Sequence, residues 1–478
     1  MTYRIEHDLL GEKELPSEAY YGIHTLRASE NFKLSGIFMH SELIISLAYV
    51  KKACCLANLK SGRILKEIAD VICKACDEII SGKLHDQFIV DVFQGGAGTS
   101  ANMNANEVIA NRALELMGYN KGDYSIISPI DHVNLSQSTN DVFPTAVKLA
   151  AIKLLIPASK AMANLQKVLQ EKENEFSDVL KVGRTEMQDA VPITLGQEFS
   201  AYAQAVQRDW WRLYKVEERI RQINLGGTAI GTGLNADLKY IYSASDILRD
   251  ITGVSLARAE NMIDSTQNLD VFVEVSGLVK SAAVNLLKIS SDLRFLSCGP
   301  LAGIGEITLP ALQAGSSIMP GKVNPVALEA VSQAGMQIIA NDLLITQSAA
   351  SGNLELNAFL PILSHNLFQS LVLLKNSADL LAEKCIKGIV ANRERCNELV
   401  EKSLVNLTAL TPYIGYESAS KIAKKVLKTE KTVRETALEE GYFTQEEIDV
   451  VLSSIEMTKP GVAGIKKIVE LRKQKESK

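Results

Sequence analysis

The sequence predicts an all-α protein built around a central bundle of long helices, and three observations predict it. Residues 197–223, "QEFSAYAQAVQRDWWRLYKVEERIRQI", contain no Gly or Pro. Their apolar side chains recur at Phe199, Tyr202, Val206, Trp210, Leu213, Val216, Ile220 and Ile223, steps of three and four that draw one continuous helical stripe. Comparable patterns cover 145–173, 269–298, 326–350 and 355–382, whereas alternating strand patterns are scarce. Any sheet is therefore expected to be small and peripheral.

In chain order, the first 141 residues are the most broken, with helices expected at 41–59 and 64–82 between loops rich in Gly and Ser. They are expected to form an N-terminal mixed helix and loop domain, 1–141. The long helices fill a central domain, 142–392, with Pro157 expected to kink the first of them. Segments such as "VFVEVSGLVKSAAVNLLKI" are apolar on more than one side, so they must be buried on more than one face, and a bundle completed by further subunits follows. After residue 392 the helical patterns shorten and gain charge, as in "TVRETALEEG" and "TQEEIDVVLSS". This is expected to be a small C-terminal helical domain, 393–478.

Composition bounds the function. The chain has 478 residues, 46% hydrophobic and 22% charged, which is ordinary globular usage and ample for a large core. A net charge of -5 leaves no basic footprint, so no nucleic-acid partner is expected. "MTYRIEHDLLGEKELP" has charges every few residues and no apolar run, so it reads as neither signal peptide nor membrane anchor. Seven cysteines, an odd number spread thinly, point to reduced thiols and a cytoplasmic location. Cys73 and Cys76 form a lone C-x-x-C without two further ligands at zinc spacing. They read as two small hydrophobes on one helix face.

Four segments break the helical pattern with polar loops that read as feeding helices. They are "QGGAGTSANMNANEV" with Thr99, "HVNLSQSTNDVFPTAV" with Ser138, Thr139 and Asn140, "VGRTEMQDAVPITLGQEF" with Thr185 and Glu186, and "GSSIMPGKVNP", residues 315–325. Singly, each is what an N-cap requires. Together, exposed N–H groups at helix starts, hydroxyls and Lys322 make anion sites. Without a Walker-type loop they favour a small dianionic substrate over a phosphate. No H-E-x-x-H, G-x-S-x-G or G-x-G-x-x-G after a strand is present. His24 and His132, two of six histidines, read as structural hydrogen-bond partners.

"GSSIMPGKVNP" resembles the signature of the fumarase/aspartase superfamily, and the likeness runs from "LGEKELPSEAYYGIHTLRASENF" to "EMTKPGVAG". Within it, "GGAGTSANMNANEV", "SQSTND" and "GIHTLRASENF" are similar to the aspartase branch. Hydratases of the superfamily carry a serine where Thr139 stands. The resemblance implies a three-domain fold, a homotetramer whose sites each draw on three subunits, and no organic cofactor or metal. It implies reversible elimination of ammonia from L-aspartate to give fumarate. Ser316 then matches the base that removes the Cβ proton, and Ser317, Lys322 and Asn324 match substrate-binding positions on the same mobile loop. Thr99, Ser138, Thr139 and Asn140 match residues that hold amino and carboxylate groups, and Thr185 and Glu186 a further carboxylate-binding pair. At position 186 the family's pattern has His or Gln, and an ionised Glu beside an anionic substrate repels it unless protonated or paired. The alternatives are a fumarate hydratase, which uses the same base and grip, and a catalytically silent relative of the delta-crystallin kind. Retention of Ser316, Lys322, Thr99 and Asn324 together argues against the latter.

Overall fold

The computed structural model describes residues 2–476. A hairpin of β1 (Tyr3–Asp8) and β2 (Gly11–Pro16) leads into α1 (Ile23–Asn31), α2 (Ser41–Lys60), α3 (Lys66–Ile80) and α4 (Thr99–Leu116). Next come α5 (Thr139–Glu175), a second hairpin of β3 (Leu180–Thr185) and β4 (Gln188–Thr194), and α6 (Leu195–Val216). Beyond it lie α7 (Leu238–Thr252), α8 (Met262–Gln267), α9 (Asp270–Leu296), α10 (Val326–Ala350) and α11 (Leu360–Leu380). Shorter helices close the chain: α12 (Arg393–Lys402), α13 (Leu407–Val426), α14 (Val433–Glu439), α15 (Gln445–Val451), α16 (Ser454–Met457) and α17 (Ile465–Glu476). Besides the two hairpins there are two separate pairs of two-residue strands, Gln222–Ile223 with Ala257–Arg258 and Ile307–Thr308 with Val390–Ala391. The small-sheet expectation holds, and the fold is all-α.

Most expected helices fall within a few residues of their patterns, but one ends early and another begins late. The 197–223 stripe leaves the α-helix after Val216, tightens to a 3₁₀ turn at Glu217–Ile220, and turns extended at Gln222 to pair with Ala257. The last long helix begins only at Leu360, where Pro361 in its first turn suits the N-terminus. α5 is a continuous helix of 37 residues with both Pro144 and Pro157 inside it. It is long and apolar enough to cross a membrane, but 78% of its apolar window is buried in the protein. It is a core helix.

Chain contacts define two compact units. The first takes the chain up to Lys160 with Asp209–Val284 and Ala334–Asn376. Here α2 packs on α3 and α7, and α4 on α1 and α3. Leu47, Ile72, Ile79, Phe143, Tyr240, Phe272 and Phe368 are fully enclosed, each such side chain contributing about 1.5–3 kcal/mol. α2 starts where the His40 ring nitrogen accepts the Glu42 N–H, and α7 where Asp237 accepts the Lys239 N–H and ends at Gly253.

The second unit takes Ala161–Arg208, Asn285–Gln333 and the chain from Ser377 onward. Its helices α13 to α17 surround a small core of Leu410, Ile422, Val433, Phe443, Ile448 and Val451. α14 and α15 each open on a capping box, Thr432 with Glu435 and Thr444 with Glu447. A buried ionic cluster sits beside β3. Glu306, fully enclosed, takes both guanidinium nitrogens of Arg184 at 2.9 and 3.0 Å and the Lys181 ammonium at 3.3 Å.

The apolar stripe of α6 is already covered within the chain: Phe199, Tyr202, Val206, Leu213 and Val216 are buried. This stripe by itself therefore calls for no partner subunit. The long helices do leave other apolar side chains in solvent, namely Trp211, Tyr214, Val284, Met336 and Leu343, each at least half exposed.

Removing Glu306 would leave Arg184 without this carboxylate and the buried Lys181 with Glu198 as its remaining carboxylate partner, so Glu306→Ala is expected to cost about 3–5 kcal/mol. Urea denaturation followed by circular dichroism checks this, and a loss below about 1 kcal/mol would contradict the ionic account.

Candidate active site

The first unit brings Thr99, Ser138, Thr139 and Asn140 to two neighbouring helix starts. α4 begins at Thr99 after a 3₁₀ turn over Gly96–Gly98. Gly98 has φ +96°, and a Cβ there would lie 2.5 Å from the Phe143 ring of α5. Only glycine permits that approach, and it sets the two helix N-termini side by side. The Thr99 hydroxyl donates to Gly96 O at 2.6 Å, and Gln94 Oε1 accepts the Ala101 N–H at 2.9 Å. Thr99 is exposed, and Ser138, Thr139 and Asn140 are half-buried. All four are open to a ligand.

α5 begins at Thr139. Its first turn is held by Asp141, whose Oδ1 accepts the Ser138 N–H at 3.0 Å while Oδ2 accepts Gly226 N–H at 3.0 Å and Thr228 N–H at 3.1 Å. Burial pushes the Asp141 carboxyl up to about 6, against the pull of those three donors. Asn140 Nδ2 donates to Ala229 O at 2.7 Å, and Ser138 Oγ accepts the Asn140 N–H at 3.2 Å. Asn102, one turn into α4, donates to Thr139 Oγ1 at 3.1 Å and to Asn134 Oδ1 at 3.1 Å. That amide joins the two helix starts.

Behind them lies a buried ammonium. Lys51 of α2 is fully enclosed and donates to Asn134 Oδ1 at 2.9 Å and Gln137 Oε1 at 2.8 Å. Burial pushes its pKa down to about 8. Asn58, two turns along α2, donates to Leu135 O and accepts the Ser136 hydroxyl, both at 2.8 Å. Ser136 is thereby held at φ +63°, a strained value for a non-glycine residue.

The second unit carries Ser316, Ser317, Lys322, Asn324, Thr185 and Glu186. The segment 315–325 closes on itself: Gly315 N–H donates to Lys322 O and Asn324 Nδ2 to Gly315 O, both at 2.9 Å. A Cβ at Gly315 would meet Lys322 O at 2.4 Å, so the neck requires glycine. Above it, Ser316 Oγ accepts the Ile318 N–H at 3.1 Å and the Met319 N–H at 2.9 Å. Two backbone dipoles thus point at this oxygen, an arrangement that favours negative charge on it. Ser317 and Lys322 are exposed, and Asn324 half-buried.

Three of the four polar segments lead into α4, α5 and α10 as expected. The third does not. It forms the β3–β4 hairpin, with Thr185 paired to Gln188 across a two-residue turn of Glu186 and Met187. Both turn residues have left-handed φ, 53° and 64°, the type I′ geometry that glycine and asparagine usually supply. Thr185 and Glu186 are exposed at its tip. His132 behaves as expected, its Nδ1 accepting the Ser128 N–H at 2.9 Å. At His24 the backbone N–H is the bonding group, donating to Glu107.

Sequence reasoning missed Lys51, Asn102, Asn134 and Gln137, and the 226–229 loop that holds Asp141 and Asn140. The run of asparagines in "NMNANEV" was the available signal: Asn102, Asn104 and Asn106 are all buried within α4, where a helix interior ordinarily has no use for amides.

An all-α scaffold with helix-start polar loops and a serine seated on backbone N–H groups is that of an enzyme acting on a small anion. The chain belongs to the Lyase family, whose match covers residues 11–340, and residues 407–459 match the fumarase C C-terminus. It is similar to an aspartate ammonia-lyase of Bacillus subtilis (strain 168), 50% identical over 97% of each chain. The counterpart of Escherichia coli (strain K12) is 47% identical over 94% of this chain and 95% of its own. A fumarate lyase:delta crystallin structure from Brucella melitensis bound to cobalt superposes with TM-score 0.93 at 48% identity, covering 96% of this chain and 100% of that one. A class II fumarase from Schistosoma mansoni gives 0.91 at 36%, over 96% and 100%.

The folded protein holds the Asp141 proton up to about pH 6, whereas the unfolded chain releases it near 3.8. The carboxyl therefore stabilises the fold fully below about pH 4 and loses that contribution as pH rises through 6. Relative to Asp141→Asn, the protein is expected to lose about 2 kcal/mol between pH 4.5 and pH 6.5 in urea melts. A pH-independent difference would mean that Asp141 stays ionised throughout.

Proposed function

We propose that this chain is a carbon–nitrogen lyase that eliminates ammonia reversibly from L-aspartate to give fumarate, with Ser316 as the general base. The base assignment rests on the two N–H groups at Ser316 Oγ, and the substrate on the relatives named aspartate ammonia-lyase over nearly the whole chain. A serine hydroxyl is a poor base at neutral pH and needs such donors to persist as alkoxide.

The alkoxide takes the Cβ proton, and the electron pair moves onto the adjacent carboxylate, which becomes doubly charged. The pair then returns to form the C=C bond as the C–N bond breaks and ammonia leaves. A proton α to a carboxylate is weakly acidic, so electrostatic stabilisation must lower most of the barrier, each well-placed donor supplying about 2.7–4 kcal/mol. In this reading Lys322, Ser317 and Asn324 serve that carboxylate. Thr99, Ser138, Thr139 and Asn140 hold the amino group and the other carboxylate, with the N–H groups of two helix starts behind them. Thr185 holds a carboxylate. We assign Glu186 to the substrate ammonium, the one substrate group that an ionised carboxylate attracts.

In this reading the protein is a cytoplasmic homotetramer without organic cofactor or metal, with domain boundaries near 141 and 392. Trp211, Tyr214, Val284, Met336 and Leu343 are the apolar side chains that subunit contacts would cover. The second reading, a fumarate hydratase, draws on the likeness to the Schistosoma mansoni fumarase.

Fumarate absorbance is expected to rise with L-aspartate, releasing ammonium, and faster turnover of L-malate would favour the hydratase. Ser316→Ala is expected to lose at least about 10²-fold in rate, the usual worth of a general base, while still binding substrate. Near-normal turnover would place the base elsewhere. In the same assay Glu186→Gln should raise KM for aspartate. A lower KM would show repulsion instead, and unchanged kinetics from pH 6 to 9 would remove Glu186 from the site.

Light scattering in dilute buffer should report a mass four times that of the chain. A stable, active monomer would end both the shared-site reading and the proposed covering of Trp211 and Met336.

A further inference from the structure

Four of the seven cysteines lie on one pair of packed helices: Cys54 and Cys55 on α2, Cys73 and Cys76 on α3. Their surroundings separate them. Cys54 is fully buried and takes the Tyr240 hydroxyl at 3.2 Å, and Cys76 is fully buried. Burial pushes both thiols upward, so both are inert. Cys55 and Cys73 face each other at the edge of the interface. Cys55 Sγ lies 3.7 Å from Ala69 O, and in an α-helix that carbonyl receives the N–H of residue 73, one turn on. One turn further out, Lys52 of α2 bonds Asp77 of α3 at 2.6 Å. The antiparallel steps 55 to 52 and 73 to 77 keep the two contacts in register, and they bring the Cys55 and Cys73 thiols close enough to perturb each other.

We propose that Cys55 and Cys73 form a hydroperoxide-sensitive dithiol that oxidises to a disulfide joining α2 to α3. The pair is asymmetric in the sense such chemistry needs. The neighbouring Cys55 thiol first, and then the Lys52 ammonium, lower the Cys73 thiol, while burial, Asp77 and Asp70 oppose them. Cys55 itself, nearly fully buried, is raised, first by the neighbouring Cys73 thiol and then by burial. Cys73 is only half-buried, so its thiolate is within reach of a small oxidant.

The Cys73 thiolate attacks one peroxide oxygen, the O–O bond breaks, and Cys73 becomes a sulfenic acid with release of one water. Cys55 sulfur then displaces hydroxide from that sulfenic sulfur. The S–S bond forms, the Cys55 proton leaves with the hydroxide as a second water, and two thiols have given two electrons to one hydrogen peroxide. Any dithiol reductant reverses the step.

The bridge would land between Lys51 and Asn58, the two α2 residues that hold the 134–137 loop.

The folded protein is treated with one equivalent of hydrogen peroxide and then unfolded in guanidinium, all free thiols are capped with N-ethylmaleimide, and the digest is mapped by mass spectrometry. The expected result is a Cys55–Cys73 cross-linked peptide, loss of two of the seven cappable thiols, and their return with dithiothreitol. Cys76→Ser should keep the cross-link, and Cys55→Ser should trap Cys73 as a dimedone-reactive sulfenic acid. Seven cappable thiols after peroxide, a bridge between any other pair, or a Cys55→Ser protein whose Cys73 ignores dimedone would each overturn the proposal. The wild-type map decides even if a variant fails to fold.

Discussion

The Lys51 ammonium is the constraint on which the first unit's site depends. A fully enclosed cation is costly to bury, and among the described residues no carboxylate bonds it directly; its partners are the amide oxygens of Asn134 and Gln137. Those two amides belong to the loop that delivers Ser138, Thr139 and Asn140 to the start of α5. Asn134 also accepts from Asn102 and Asn106 of α4. One charge thus organises amides from two helices and a loop. The same arrangement orients neutral amide and hydroxyl donors.

That neutrality matters for the chemistry. A site for a substrate with two carboxylates gains from positive potential, yet the chain as a whole carries net charge -5. The attraction must therefore be local. In the proposed reading it comes from Lys322, from the first-turn N–H groups of α4 and α5, from hydroxyls and amides grafted on them, and from backbone N–H groups around Ser316. Such dipoles are fixed before substrate arrives and need no reorganisation when charge develops. A glycine at each tight approach makes this possible: Gly98 lets α4 meet Phe143, and Gly315 lets the serine loop close on Lys322 O.

The helices were legible because packing enforces a period. α9 and α10 lie within two residues of their apolar patterns, and every residue of the α6 stripe up to Val216 except Trp210 is buried. Three helix-start loops were legible for a related reason, since caps use a small alphabet of side chains. The β3–β4 hairpin was not. Its turn residues, Glu186 and Met187, are poor formers of a left-handed turn, so nothing in "RTEMQD" announced it. Lys51 was hidden for the opposite reason. A lysine within "AYVKKACC" reads as a solvated face until the loop that buries it is in place. The α6 stripe announced a buried face but not its cover, because periodicity says which face is apolar but not which neighbour covers it.

The hairpin tip then bears on the one acid among the assigned side chains. A type I′ turn built from Glu and Met holds two non-glycine residues at positive φ, at a cost of about 1–3 kcal/mol each. Asn-Gly would make the same turn without that strain. Strain at an exposed tip does not serve the core, because Glu186 and Met187 are both in solvent. It does fix the direction in which the Glu186 side chain leaves the hairpin, since the register from Leu180 to Gln188 is pinned by the ladder and by Arg184 on Glu306. A carboxylate with a defined direction suits recognition of a cation, whereas a carboxylate free to turn away would merely avoid an anion. That distinction is why the ammonium, rather than either carboxylate, is its proposed partner.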